Sequence, residues 1–273
     1  MVNIINDYRL IDIIGRGSYG EVWKARHINT KKEVAIKLEQ KGSKKYLKYE
    51  TIILRHLNKL SNIVKIKYYG VLNKHNYLIM DLLSIPLNEY YNSIKRNNDR
   101  EYNRIKWIGE KLLYCIESVH NSGIIHRDIK PSNFLLNLNY NDIIMIDFGL
   151  AKQYINKSGL HRNNNIHSSI TGTVMYISLN VHNGNEPSRR DDLISMIYVI
   201  IYLLKGSLPW QCIKYTTPED KIQKISHLKQ IISPRDLCNH LPNKLLEMID
   251  YCYDLSYDEE PNYEYLLFLI KTI

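Results

Sequence analysis

Two short runs of this 273-residue chain carry side chains able to move a phosphoryl group. One is His126-Arg127-Asp128-Ile129-Lys130-Pro131-Ser132-Asn133, and Ile143-Ile144-Met145-Ile146-Asp147-Phe148-Gly149 follows it. A carboxylate at Asp128 can orient and deprotonate a hydroxyl, and Lys130 can neutralise a phosphoryl in transit. Asn133 and Asp147 supply oxygen ligands of the kind Mg²⁺ takes. His-Arg-Asp with Asn five positions on, and then Asp-Phe-Gly in order, is too specific a set for chance. Nearer the N-terminus, Gly15-Arg16-Gly17-Ser18-Tyr19-Gly20-Glu21-Val22 is glycine-rich, so its backbone N–H groups can approach phosphate oxygens where a Cβ would clash. Alone that pattern is weak, and its context decides its meaning. Glu21-Val22-Trp23-Lys24-Ala25 alternates like a strand, whereas a Rossmann dinucleotide site needs a helix there, and no Walker sequence occurs. Lys37 ends the apolar run Val34-Ala35-Ile36. An ammonium so placed is unfavourable unless anions meet it, and Glu50 is the candidate partner that would aim it at the phosphates of a nucleotide.

These groups need rigid elements to hold them. From Tyr8 to about Met80 short alternating runs separated by Gly, Asn and Lys turns predict antiparallel hairpins. Leu47, Ile53, Leu54 and Leu57 fall at near-helical spacing, so one helix over residues 44–57 crosses this small sheet and carries Glu50. After Pro86 the pattern is helical: Ile105, Ile108, Leu112, Cys115 or Ile116, and Val119 recur at three- and four-residue steps, with Gly123 placed as a cap. Residues 192–204, 241–255 and 263–270 repeat this habit, and residues 156–165 are a loose polar stretch. The predicted layout is α+β and bilobal within one domain, 1–273. It has a small β-rich lobe over 1–82, a hinge near residues 81–84, and a larger helical lobe over 83–273.

The composition, 44% hydrophobic and 24% charged, excludes disorder and leaves ample material for a core. Lys and Arg number 37 against 28 Asp and Glu, and the resulting +9 favours acidic partners. Diffuse charge without zinc-finger spacing or an RNP-like aromatic motif argues against a nucleic-acid reader. Cys115, Cys212, Cys238 and Cys252 form no metal-binding spacing and are expected as reduced thiols of an intracellular, cytoplasmic or nuclear protein. The N-terminal residues lack the marks of a signal peptide, and the longest apolar stretch, residues 193–204, is too short to span a membrane, so neither secretion nor membrane insertion is expected.

The set GxGxxGxV, VAIK, HRDxxxxN and DFG resembles a eukaryotic protein kinase. Residues 125–131, Asp147-Phe148-Gly149-Leu150-Ala151-Lys152, Thr171-Gly172-Thr173, residues 188–193 and Gly206-Ser207-Leu208-Pro209-Trp210-Gln211 are similar to the casein kinase 1 family, as is Ser178-Leu179-Asn180 where most kinases carry Ala-Pro-Glu. His182-Asn183-Gly184 and Pro187-Ser188-Arg189-Arg190 also resemble the vaccinia-related kinases, which usually lack the Arg that stands at 127. The resemblance covers nearly the whole chain and implies a serine/threonine kinase that binds ATP and Mg²⁺. Asp128, Lys130, Asn133, Lys37 and Asp147 would be its catalytic residues, with the metal on Asn133 and Asp147. It places the nucleotide against Ile14, Gly15, Arg16, Gly17, Ser18, Tyr19, Gly20, Glu21 and Val22 of the glycine loop. Ala35, Lys37, Glu50, Leu135 and Ile146 complete the surroundings, with Met80 as gatekeeper and Asp81, Leu82 and Leu83 as the adenine hinge. Asp192 would anchor the catalytic loop.

Acidic or phosphorylated protein substrates and a monomer are expected. The family's Arg after Gly-Thr-Ala, part of a pocket for a phosphate already on the substrate, is replaced in Gly172-Thr173-Val174-Met175, while Lys221 keeps its place. Lys152, Arg189 and Arg190 remain candidates to attract acidic sequence. Activity without phosphorylation of Ser168, Ser169 or Thr171 is expected from the resemblance, and control by a tail beyond Ile273 is not. The main alternative is a kinase-fold scaffold without turnover, whose usual signature, loss of the Lys or either Asp, is absent. Ile197 stands where kinases commonly have Gly.

Overall fold

The structure, a computed structural model, describes residues 4–17, 20–40, 42, 46–72, 75–93, 98–156, 158–166 and 170–273. The chain divides into two compact units, Met1–Ile85 with Leu135–Leu150, and Pro86–Phe134 with Ala151–Ile273. The first unit thus includes the segment that carries Asp147.

In the first unit β1 (Ile4–Ile5), β2 (Tyr8–Gly17), β3 (Gly20–His27), β4 (Glu33–Gln40), β5 (Ile66–Leu72) and β6 (His75–Asp81) form an antiparallel sheet in the order β1-β2-β3-β4-β6-β5. Alternation along β4 explains its two faces. Val34 and Ile36 join Ile5, Ala25, Tyr77 and Ile79 in an apolar cluster on one side. Ala35, Lys37 and Glu39 take the other side, where helix α1 (Tyr46–His56) buries Leu47, Ile53 and Leu54. Glu39, itself buried, accepts the Leu47 N–H at 3.0 Å and the Asn76 amide at 2.9 Å. It thereby satisfies a donor that the first turn of a helix leaves open. Lys44, where the sequence places the start of this helix, lies outside the described residues.

The second unit is helical. It contains α2 (Leu87–Ser93), α3 (Asn98–Asn121), α4 (Leu179–His182), α5 (Arg189–Lys205), α6 (Pro218–Ile231), α7 (Pro234–Leu237), α8 (Asn243–Asp254) and α9 (Tyr263–Lys271). Helix α5 is buried on most sides, as its apolar run predicts, and packs against α3 and α8. Ile197 is fully buried within it, and nothing in the structure explains its presence in place of glycine. Sequence periodicity passed over α6, because among its residues only Ile225 and Lys229 are buried and no apolar stripe forms. Its start was nevertheless written in the chain. Thr217 accepts the Asp220 N–H at 3.1 Å and Pro218 opens the first turn, a cap followed by the residue best suited to that position. No described helix is long and apolar enough to cross a membrane.

Candidate active site

The first unit assembles one cluster from three separate stretches of chain. Lys37 on β4 reaches Glu50 on α1 at 2.8 Å and Asp147 at 2.9 Å. Lys37 and Glu50 are 8% and 2% exposed, so their charges have little water to turn to. Burial alone would pull the Lys37 ammonium down; the facing carboxylates of Glu50 and Asp147 outweigh it and hold the group above the ordinary lysine range. Glu50 also accepts the Phe148 N–H. Asp147 adopts φ 63°, a left-handed conformation that non-glycine residues seldom take, and the buried Phe148 follows it.

The glycine-rich segment lies on the β2–β3 hairpin, pairing Gly15 with Val22, Arg16 with Glu21 and Gly17 with Gly20. Gly20 has φ +126°, and a Cβ there would collide with the Leu38 carbonyl oxygen, so this glycine is required by the close approach of β4. Ser18 and Tyr19, assigned to the nucleotide from the resemblance, lie outside the described residues. Cross-strand pairing sets Val22 against Lys37 and Ala35 against Met80. Asp81 ends β6 and pairs with Lys67 at 2.5 Å. Leu82 and Leu83 follow, and beyond them the Ser84 N–H donates to Leu136 O at 2.9 Å while the Leu136 N–H donates to Ile85 O at 3.0 Å. Leu135 is thereby tied beside the end of the hinge. Ile14 is 51% exposed on β2, whereas Ile146, next to Asp147, is partly buried.

The second unit builds its cluster from one turn. Asn133 closes a short 3₁₀ turn, Pro131–Asn133, and donates its amide to the Asp128 carbonyl at 2.8 Å and to the Asp128 carboxylate at 3.2 Å. Lys130 reaches the same carboxylate oxygen at 2.6 Å. The other oxygen accepts the Thr173 N–H at 2.9 Å and its hydroxyl at 2.6 Å. Thr173 can come this close because Gly172, with φ +102°, backs onto Arg127: a Cβ there would stand 2.5 Å from the Arg127 carbonyl oxygen. With its nitrogen turned to Asp128, the Asn133 amide keeps its oxygen for another partner, the donor type a hard cation takes. Among the described residues no group of three or more His, Cys, Asp and Glu is gathered as a metal cage.

Beneath this turn Asp192, at the start of α5, accepts the backbone N–H of His126 at 2.7 Å and of Arg127 at 2.9 Å. The grip holds Arg127 at φ 67°. Burial would raise the Asp192 carboxyl, but its hydrogen bonds with His120 and with the His126 N–H keep it below the usual range, while burial pulls His120 down. A neutral His120 accordingly donates Nε2–H to Asp192 at 3.1 Å and accepts the Tyr263 hydroxyl on Nδ1 at 2.7 Å. Sequence reasoning also missed Glu186, whose carboxylate is buried between Arg127 at 3.3 Å and Lys152 at 2.8 Å. Its backbone N–H is bonded to Asn165 O at 3.0 Å, tying residue 165 to the same anchor.

A match to the protein kinase domain family extends over residues 8–266. The chain belongs to the protein kinase family. Among curated relatives, Casein kinase I homolog 3 of Schizosaccharomyces pombe is 37% identical over 272 residues, which covers 97% of this chain and 62% of that protein. This kinase chain therefore spans less than two thirds of the length of that relative, and the likeness agrees with the casein kinase 1 type seen in the motifs. The kinase fold class, α+β with a β-rich and a helical part, is the one expected.

Proposed function

We propose that this chain is an ATP-dependent serine/threonine protein kinase of casein kinase 1 type acting on acidic protein segments. The observation that carries the proposal is the Asp128 carboxylate, 5% exposed, with Lys130 and Asn133 on one oxygen and Thr173 on the other. A carboxylate fixed in this way can accept a substrate hydroxyl proton, and Lys130 beside it can stabilise the charge on the transferring group. Lys37, braced by Glu50 and Asp147, is the cation for the nucleotide phosphates. Asn133 and Asp147 are the residues that would hold Mg²⁺, which when bound neutralises charge on the β- and γ-phosphate oxygens. Lys130 two residues after the Asp, together with Thr173, supports an alcohol rather than a phenol acceptor.

The acidic preference rests on the net charge of +9 and on Lys221, which lies over the Tyr215 ring at 4.9 Å. The other candidates have structural work: Lys152 binds Glu186, Arg189 donates to Asp258 O at 2.7 Å, and Arg190 donates to Leu255 O at 2.6 Å. With Met175 in place of the family Arg, unprimed acidic peptides are the proposed substrates. An intracellular location belongs to the same proposal, supported by four cysteines that form no disulfide with one another, of which Cys115, Cys238 and Cys252 are buried. Transfer from labelled ATP to acidic, primed and plain Ser peptides tests the assignment. Asp128→Asn is expected to lower kcat by about 10³-fold, within the range of positioned acid–base groups; undiminished transfer would contradict the assignment.

A further inference from the structure

The loop Val174–Ile177 directly follows Thr173, and its backbone carbonyls are held by side chains that the phosphoryl chemistry leaves unused. Lys229 of α6 donates to Val174 O at 3.1 Å and to Ile177 O at 2.6 Å. Trp210 donates its indole N–H to Met175 O at 2.8 Å. Lys229 is 4% exposed, and its Nζ lies 5.1 Å from the Tyr198 ring centre and 4.9 Å from that of Trp210. Among the described residues no carboxylate pairs with it. Burial without a counter-ion is unfavourable for an ammonium, and here it pulls Lys229 well below the ordinary lysine range. A Met would fill the same apolar space between the rings without that penalty. What Lys adds is a set of N–H donors, present whether the group is ammonium or amine, and they meet the carbonyls of Val174 and Ile177.

We infer that Lys229 is a positioning residue for acceptor binding: it fixes the Val174–Ile177 loop, and through Thr173 it fixes the approach of a substrate hydroxyl to Asp128. The inference rests on the kinase proposal for its consequence and on the loop geometry for its cause. Trp210 supports the same loop from the adjoining carbonyl, so the two side chains together hold Val174, Met175 and Ile177. Loss of that support should impair use of the peptide and spare use of the nucleotide, whose lysine belongs to the first unit.

Lys229→Met is the direct test, assayed with an acidic Ser peptide and MgATP. We expect kcat/KM for the peptide to fall about tenfold while KM for ATP stays within about twofold. Unchanged peptide kinetics in a cooperatively folded variant, or equal losses for peptide and ATP, would overturn the inference. Trp210→Phe, which keeps an aromatic ring but removes the indole N–H and part of the buried ring system, should shift the same ratio by about threefold and decides the matter if Lys229→Met does not fold. Amide hydrogen exchange separates this inference from the kinase proposal. Faster exchange in Lys229→Met confined to residues 173–177 upholds the loop contact even if the wild-type protein transfers no phosphate, and unaltered exchange there refutes it.

Discussion

Lys37, Glu50 and Asp147 come from stretches 13 and 110 positions apart and are held together by opposite charge, with Lys37 and Glu50 buried and Asp147 partly buried. Asp128, Lys130 and Asn133 come from a single turn and are oriented by N–H and O–H donors, including those of Thr173. The two clusters should therefore fail in different ways. Removing one charge from the first leaves others buried without compensation, so stability suffers along with chemistry. Removing the carboxylate from the second leaves a neutral group of similar shape, so chemistry is lost while the fold survives.

The largest effect separating the two is expected for Lys37→Met, which leaves Glu50 and Asp147 without their cation and should lower unfolding free energy by about 3 kcal/mol. Asp128→Asn, despite its greater effect on turnover, should change stability by no more than about 1 kcal/mol. Denaturant titration of both variants checks the contrast, and similar losses would break it. Adding Glu50→Gln to Lys37→Met should return part of the lost stability, because it removes the carboxylate left buried without its cation; additive losses would mean that the pair is not coupled.

Gly172→Ala tests whether the second cluster depends on backbone shape as much as on its carboxylate. The new Cβ would press on the Arg127 carbonyl oxygen at a positive φ, displacing Thr173 from Asp128. A loss of about 1–3 kcal/mol in stability is expected from the strain, with at least about a tenfold fall in kcat. Turnover at the wild-type level would show that Thr173 is dispensable to the orientation of Asp128.

The smallest effect is one of pH. Burial draws His120 below its ordinary value, and burial with the nearby Lys229 draws His182 down to about 3. Folded-state values below the unfolded one mean that the unfolded chain takes up protons first, so stability is complete above about pH 6.5 and declines as pH falls through that value. Asp192, also held low, adds a further loss only when pH falls below about 4. Lys37, held high, contributes in full at any pH below about 10. The melting temperature should thus drop between pH 6.5 and 5 through groups of the second unit, and His182→Gln should flatten that slope. An unchanged slope would remove His182 from the account.

Much of this was legible without coordinates. The glycine hairpin, the strand carrying Lys37, which runs on to Gln40, a helix bearing Glu50 and the helices over residues 105–119, 192–204 and 263–270 all announce themselves through periods of two or nearly four residues. Helix α6 did not, since a helix that buries only Ile225 and Lys229 leaves no stripe, although its Thr217-Pro218 start was visible. Glu39 was within reach as well. It lies two residues from Lys37 on the same face of β4, but that a carboxylate there meets the first turn of α1 depends on where the helix lands.

By itself the sequence determined which chemical groups are present and, within one turn or one strand, how they are ordered, because neighbours along the chain are constrained by backbone geometry alone. It also required that a buried Lys37 find anions. Tertiary structure alone decided that Asp147 joins Glu50 in that task, that Gly172 backs onto Arg127, that Glu186 stands between Arg127 and Lys152, and that Lys229 holds a loop rather than a carboxylate. For the three cases that involve charged side chains the physical reason is the same. Burial dictates that a polar group must have a partner, but which partner it meets is set by the packing of segments far apart in the chain, and local pattern does not carry that information.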